Sequence, residues 1–359
     1  MNARTLYTRL MPVVWKALYW AAVLAVSSFV FIHFCTTSGV GGHGPAKVER
    51  VLTGTADRPY VFRVLLPLVA NTLAPLLNRE IALYMGIESE RVLGERFFQA
   101  RLNGALYPRQ VILILFMMYL SLVGFAITMW FLIGSLGYAI WVQYASPPVL
   151  LLGSMIFMQF GYIYDLTALC LFSLALLLLF RQQWAAYIVV FVCSTLNKET
   201  SIFLYLIFAL YYSRKLPRRS FIVLSAAQLV GYGLIQGIIR YVYRNNPGQA
   251  VQWHFGDQVS MLKQLAANSP LLLLYGSAVL VIMAMLVAYA WRSKPVFLRT
   301  AISILPFFVV LFILWGYPLE IRAMFEVYPI VAILMLPPQL LDHTRTMVST
   351  PENAGVTFM

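Results

Sequence analysis

Of the 359 residues, 61% are hydrophobic and only 11% are charged, against about a quarter charged in an ordinary soluble domain, and the mean hydropathy is +0.79. That composition excludes a soluble globular protein and points to an all-α polytopic membrane protein. The formal charge of +13 suggests nucleic acid only until it is divided between the two sides of a bilayer, so it supports no nucleic-acid partner.

Taken in order, apolar runs bounded by polar residues predict ten spans, at roughly 13–35, 110–134, 138–158, 163–180, 183–196, 200–213, 220–240, 270–291, 300–316 and 326–341. The first has no small-residue cleavage site close behind it and reads as a retained helix rather than a signal peptide. Cys35, Cys170 and Cys193 lie in or beside apolar runs at spacings that suggest neither a disulfide framework nor a metal site. With ten spans, the basic residues Arg4, Arg9, Lys16, Arg181, Arg214, Lys215, Arg218, Arg219, Arg292, Lys294 and Arg299 fall on one side. The positive-inside rule makes that side cytoplasmic, with both termini inside and residues 342–359 as a cytoplasmic tail. Of the 13 acidic residues, only Asp342 and Glu352 then face the cytoplasm. An outward excess of acids lies outside the rule, and it directs attention to chemistry on the external face of a plasma or bacterial inner membrane.

The whole chain, residues 1–359, reads as one transmembrane domain with a long external loop at 36–109. That loop opens on a Gly-rich stretch, 36–45, expected to be mobile. Residues 60–77 are apolar but carry Arg63, Pro67 and Pro75, which suits helices packed on the bundle near the interface better than a span. Residues 88–101 read as a polar, charge-alternating helix. Within the loop, Asp57-Arg58-Pro59-Tyr60-Val61-Phe62-Arg63 offers a carboxylate and two guanidinium groups, and guanidinium suits bidentate phosphate binding. Alternatively, Asp57 and Arg58 are solvated and Arg63 snorkels to headgroups.

Two short turns carry charge. Tyr164-Asp165 places a carboxylate at a helix start, where it serves either a site or the helix dipole. Glu320-Ile321-Arg322 places an acid and a base two apart in the turn after the ninth run. Between these, residues 241–270 read as a polar and aromatic second external loop, a mobile cover, in which His254 is a solvated or packed residue rather than a catalyst.

The strongest anomaly is Asn197-Lys198-Glu199-Thr200-Ser201, which breaks an otherwise apolar run. An unpaired charge in a bilayer costs several kcal/mol, and the runs on either side are too short to span unaided. The stretch is therefore expected to form an elbow in a depression below the membrane surface, where irregular backbone is tolerated if it lines a cavity.

Together, Asp57, the segment Pro59-Tyr60-Val61-Phe62-Arg63-Val64-Leu65-Leu66-Pro67, the Tyr164-Asp165 turn, the Asn197-Lys198-Glu199-Thr200 turn and Glu320-Ile321-Arg322 make the chain resemble the GT-C superfamily of multi-spanning glycosyltransferases. These use polyprenyl-phosphate-linked sugar donors. The resemblance covers most of the chain and implies a GT-C-like bundle with a long first external loop. It implies transfer of a sugar from a polyprenyl-phosphate lipid to a glycan, lipid or protein acceptor, with inversion. It maps the catalytic acid position to Asp57, with Glu49 as the fallback, and the donor phosphate to Lys198, Arg322, Arg58 and Arg63. Asn197, Asp165, Glu199 and Glu320 would position those cations or bind substrate. The first loop has no Asp-x-Asp or Glu-x-Asp pair, which leaves a divalent cation and the identity of the base open. The rival class is a transporter or flippase of lipid-linked saccharides, since intramembrane acids and bases also build carriers. The gathering of charge at one face and the lack of an internal repeat favour the enzyme.

Overall fold

The computed structural model describes residues 3–38, 46–93, 107–158, 161–318 and 320–342. Among them every regular element is helical, apart from an isolated bridge between Tyr138 and Leu341. In chain order the helices are α1 (Ala3–Ser38), α2 (Val48–Leu52), α3 (Leu65–Leu73), α4 (Arg79–Leu93), α5 (Pro108–Ser135), α6 (Ile140–Ser154), α7 (Asp165–Phe180) and α8 (Trp184–Asn197). There follow α9 (Ile202–Tyr212), α10 (Arg218–Val242), α11 (Phe255–Asn268), α12 (Pro270–Ala288), α13 (Val296–Ala301), α14 (Leu305–Trp315) and α15 (Tyr328–Leu334). An apolar environment enforces this choice, because a helix satisfies its backbone groups within one segment.

Among the described residues, six helices are long and apolar enough to cross a membrane: Val13–Thr37, Pro108–Ser135, Ile140–Phe157, Arg218–Val242, Pro270–Ala288 and Val296–Trp315. The fold is thus that of a helical membrane protein. Runs four to six of the sequence reading appear as shorter apolar helices, the longest of them Asp165–Phe180. At 1.5 Å per residue that helix is only about 24 Å long. The tenth run is corrected outright: residues 326–341 hold a helix of only 7 residues, Tyr328–Leu334. Pro337 and Pro338 follow and prevent its continuation.

Helices α5 and α7 form the centre. Each turn of α7 is buried, through residues such as Leu166, Leu169, Phe172, Leu176 and Leu179, and it packs on α5, α8 and α9. At the other extreme, α12 buries none of its residues in the protein. Its exposed Leu and Val side chains suit hydrocarbon.

The long first loop is helical where described. Helix α3 buries Leu66, Pro67 and Ala70 against α5 and α8, so this stretch packs on the bundle. Thr36, Thr37 and Ser38 continue α1, and residues 39–45 lie outside the described residues. The polar helix expected over 88–101 is the end of α4, with 94–106 likewise outside, as are residues 343–359 of the expected tail. The second loop is partly helical. Its second half is α11, whose Gln258 amide donates to the carbonyls of Phe312 (3.3 Å) and Gly316 (3.0 Å) at the end of α14.

Lys294 departs from its expected part as a solvated positive-inside charge. It is buried, and its ammonium donates to the carbonyls of Leu286 (2.7 Å) and Val287 (2.9 Å) near the end of α12 and of Leu334 at the end of α15. Those are carbonyls that helix ends leave unpaired, and a cation suits the negative end of the helix dipole. Lys294→Met should cost about 2 kcal/mol, read as a lower thermal unfolding midpoint in detergent. An unchanged midpoint would mean that water replaces the ammonium without penalty.

Candidate functional site

The site is built around the elbow between α8 and α9. Helix α8 stops because Lys198 is extended (φ −160°, ψ 139°), and one tight turn, Glu199–Ser201, restarts the chain as α9. The groups freed by the break find partners in neighbouring elements. Leu196 O accepts from Val64 N of the first loop (3.0 Å), and the Asn197 amide donates to Tyr164 O (3.1 Å). The Thr195 and Ser201 hydroxyls pair at 3.0 Å.

Helix α10 supplies the other clamp through a stripe at four-residue spacing, Gln228, Tyr232, Gln236 and Arg240, which lies along one helix face. Gln228 accepts from the Tyr187 hydroxyl (2.8 Å), Tyr232 donates to Glu199 O (3.0 Å) and Gln236 donates to Thr195 O (3.0 Å). One turn further on, Arg240 reaches the cavity described below.

The elbow's charges do not stand alone. Lys198 Nζ lies 2.8 Å from Glu326 Oε1 and 3.9 Å from Asp165 Oδ1, and Glu326 Oε1 also accepts from the Thr200 hydroxyl (2.6 Å). Asp165 is fully buried; its carboxylate accepts from Tyr162 N at 2.8 Å and from Arg322 Nη1 at 3.1 Å. Arg322 in turn donates Nε to Glu320 Oε1 at 2.8 Å. Arg63 Nη2 meets Glu199 Oε1 at 3.2 Å, while its other terminal nitrogen donates to the Tyr164 hydroxyl. The guanidiniums of Arg63 and Arg322 lie 4.1 Å from the ring centres of Tyr164 and Tyr162, and those two rings stack at 5.6 Å and 10°. An Arg–Tyr–Tyr–Arg chain of contacts thus fixes the spacing of the two cations.

The Glu199 carboxylate is engaged by the Arg63 guanidinium at 3.2 Å, which suits it to holding Arg63 in place.

In front of this cluster lies a cavity of about 390 Å³. Its lining carries four cationic side chains, Arg63, Lys198, Arg240 and Arg322, and two anionic ones, Glu199 and Glu320. Asp165 and Glu326, which neutralise Lys198 and Arg322, are buried and do not line the cavity. The lining also has an apolar part, with Phe308, Leu311, Phe312 and Trp315 of α14, and Phe62 adds a further ring. Ala250, Val251 and Gln252 of the second loop also line it.

The structure thus brings Arg63, Asp165, Asn197, Lys198, Glu199, Glu320 and Arg322 into one contiguous network. It leaves Glu49, Asp57 and Arg58 outside. Asp57 pairs with Arg50 at 3.6 Å and does not line the cavity, although Pro59, two residues on, does. Glu49 sits half-buried on α2, away from the lining. Arg58 is turned to the second loop and donates to Gly248 O (2.7 Å), with its backbone N bonded to Pro247 O (2.9 Å). Among the described residues no three or more His, Cys, Asp or Glu side chains are grouped to hold a metal ion.

The sequence reading missed Arg240 and Glu326 as members of the site. The signal for Arg240 was present in the polar stripe along an apolar helix. Nothing local marks Glu326, which lies 126 positions from Thr200.

The two loops are clasped beside the cavity. Besides Arg58, Asn246 donates to Gly54 O (2.8 Å) and Ala56 O (2.9 Å). Gly248 is required there: its φ is +81°, and a Cβ would stand 2.9 Å from Arg58 O. Gly248→Ala should cost about 1–2 kcal/mol and speed limited proteolysis within the second loop by about tenfold. Cleavage at the wild-type rate would show that the clasp does not hold the loop.

Protein-family models, curated proteins and solved structures were each compared with the chain. None matches it. The functional reading therefore rests on this geometry and on the residues that carry the resemblance.

Proposed function

We propose that the chain is a GT-C-type glycosyltransferase of the bacterial inner membrane. It would transfer a sugar from a polyprenyl-phosphate donor to a glycan, lipid or protein acceptor on the external face, with both termini cytoplasmic. The observation that carries this reading is a cavity whose lining combines four cationic side chains with aromatic and aliphatic ones. Such a lining suits a ligand with an anionic head on an apolar chain.

In this reading Arg63, Lys198, Arg240 and Arg322 take the phosphate and stabilise the charge that develops on it as the sugar leaves. Glu199, Asp165 and Glu326 hold Arg63, Lys198 and Arg322 in place. The acceptor oxygen attacks the anomeric carbon, the bond from that carbon to the phosphate oxygen breaks, and its electron pair leaves with the polyprenyl phosphate. A carboxylate takes the acceptor's proton, and the single displacement inverts the anomeric centre. Glu320 lines the cavity and is our first assignment for that base; Asp57, assigned through the resemblance, is the second. Activity surviving Glu320→Gln but lost in Asp57→Asn would reverse the order.

The test is incubation of the purified protein with a panel of polyprenyl-phosphate sugars, scoring transfer and donor hydrolysis. No donor binding across the panel would sink the reading. One observation favours a carrier instead: Glu326 is buried and its Oε2 has no hydrogen-bond partner among the described residues. A proton-coupled transporter would use such a group. Proton-driven uptake by proteoliposomes without donor hydrolysis would support that alternative.

A further inference from the structure

A second cavity, of about 630 Å³, backs onto the first. Along three segments, neighbouring residues face opposite ways. Phe62 and Arg63 line the first cavity, whereas Val61 and Val64 line the second; Lys198 faces the first and Leu196 the second; Arg240 faces the first and Ile239 the second. The Val64 N to Leu196 O hydrogen bond, 3.0 Å, ties the partition together.

The two chambers differ in chemistry. None of the residues lining the second is charged. Of its polar side chains, Thr53 donates to Glu49 O (3.0 Å), Asn71 to Leu52 O (3.0 Å) and Thr72 to Leu68 O (2.8 Å), and Tyr243 adds a neutral hydroxyl. Most of the rest is hydrocarbon, from Val51, Leu52, Val61, Val64, Leu196 and Ile239. The lining also continues onto the outer surface, since Leu68, Ile238 and Val242 line the cavity and are 54%, 62% and 59% exposed. Ile238 and Val242 belong to α10, a helix long and apolar enough to cross the membrane, so the opening adjoins lipid.

We propose that this cavity holds one acyl chain of a bilayer phospholipid, its headgroup remaining outside. A lining without a cation cannot neutralise a phosphate, which costs several kcal/mol to bury unpaired, but it gains from every methylene it covers. The choice of a phospholipid over the isoprenoid donor rests on the proposed function: a chain whose phosphate sits among Arg63 and Arg240 is separated from this chamber by the partition. An acyl chain here would also brace the segment 61–64 and the end of α10, the elements that present Arg63 and Arg240 to the first cavity.

The experiment uses the full chain in nanodiscs of phosphatidylethanolamine and phosphatidylglycerol doped with a phospholipid bearing a mid-chain diazirine. Photolabelled residues are then mapped by mass spectrometry. Labels are expected on Val61, Leu68 and Ile238 in excess of those on helix α12, which buries none of its residues. Leu68→Trp and Ile238→Trp, at exposed positions of the lining, should each reduce labelling of Val61 about tenfold without lowering the unfolding midpoint. The proposal is overturned if Val61 is labelled no more than α12, or if folded Trp variants are labelled like wild type. Stronger labelling of Val61 by a diazirine isoprenyl phosphate overturns the acyl assignment. Because the readout is a crosslink and not sugar transfer, a negative transferase assay leaves this test intact.

Discussion

Asp165→Ala is expected to destabilise the protein by about 3–5 kcal/mol, the cost of breaking a buried ion pair from one side. Asp165 is fully buried and touches both Lys198 (3.9 Å) and Arg322 (3.1 Å). It also accepts from the Tyr162 backbone N–H (2.8 Å), which fixes the turn entering α7. Removing it leaves two cations short of charge in a region that water reaches poorly. The check is thermal or denaturant unfolding in detergent, with Asp165→Asn losing less because it keeps an acceptor for Tyr162. The double variant Asp165→Ala, Lys198→Met should recover part of the loss, since it deletes one of the stranded cations. Strict additivity would show that Asp165 acts only as a helix-terminal acid, the alternative open at the level of sequence, worth about 1 kcal/mol.

Arg240→Gln is expected to act on function instead. Arg63, Lys198 and Arg322 are each held by at least one carboxylate. Arg240 is exposed, lines the cavity, leans on the Phe62 ring at 5.6 Å and makes no ion pair among the described residues. Its hydrogen-bond donors are therefore available to an incoming anion. Losing one charge-assisted contact, about 1.5–3 kcal/mol, should weaken donor binding roughly 10- to 100-fold, with the unfolding midpoint unchanged. The measurement is equilibrium binding of a polyprenyl phosphate. Equal affinity in the two proteins would remove Arg240 from the site, and Arg240→Lys should retain part of the affinity, as a point charge does without the guanidinium fork.

Several features were legible because they are properties of short stretches. The charged fraction alone requires a lipid-embedded protein. The elbow at Asn197-Lys198-Glu199-Thr200-Ser201 was legible from a charge set between two apolar runs too short to span. Glu320-Ile321-Arg322 was legible as a charged turn after an apolar run; that its acid and base pair with one another came from the structure. Other features were not. Residues 326–341 have the composition of a span, yet tertiary contacts hold Glu326 beside Lys198, and Pro337 and Pro338 prevent the helix from continuing. Lys294 has the look of a solvated loop cation, and only its position between the ends of α12 and α15 turns it into a cap.

For the candidate site, the sequence by itself determined which residues carry a cost that demands partners: Arg63, Asp165, Lys198, Glu199 and Arg322 all interrupt or border apolar runs, and burial without partners is expensive. Only the tertiary structure decided who those partners are. It paired Lys198 with Glu326, left Asp57 and Glu49 outside the cavity lining, gave Arg58 to the clasp, and brought Arg240 into the cavity from α10. Desolvation is read one residue at a time, whereas pairing depends on which helix faces come together in space.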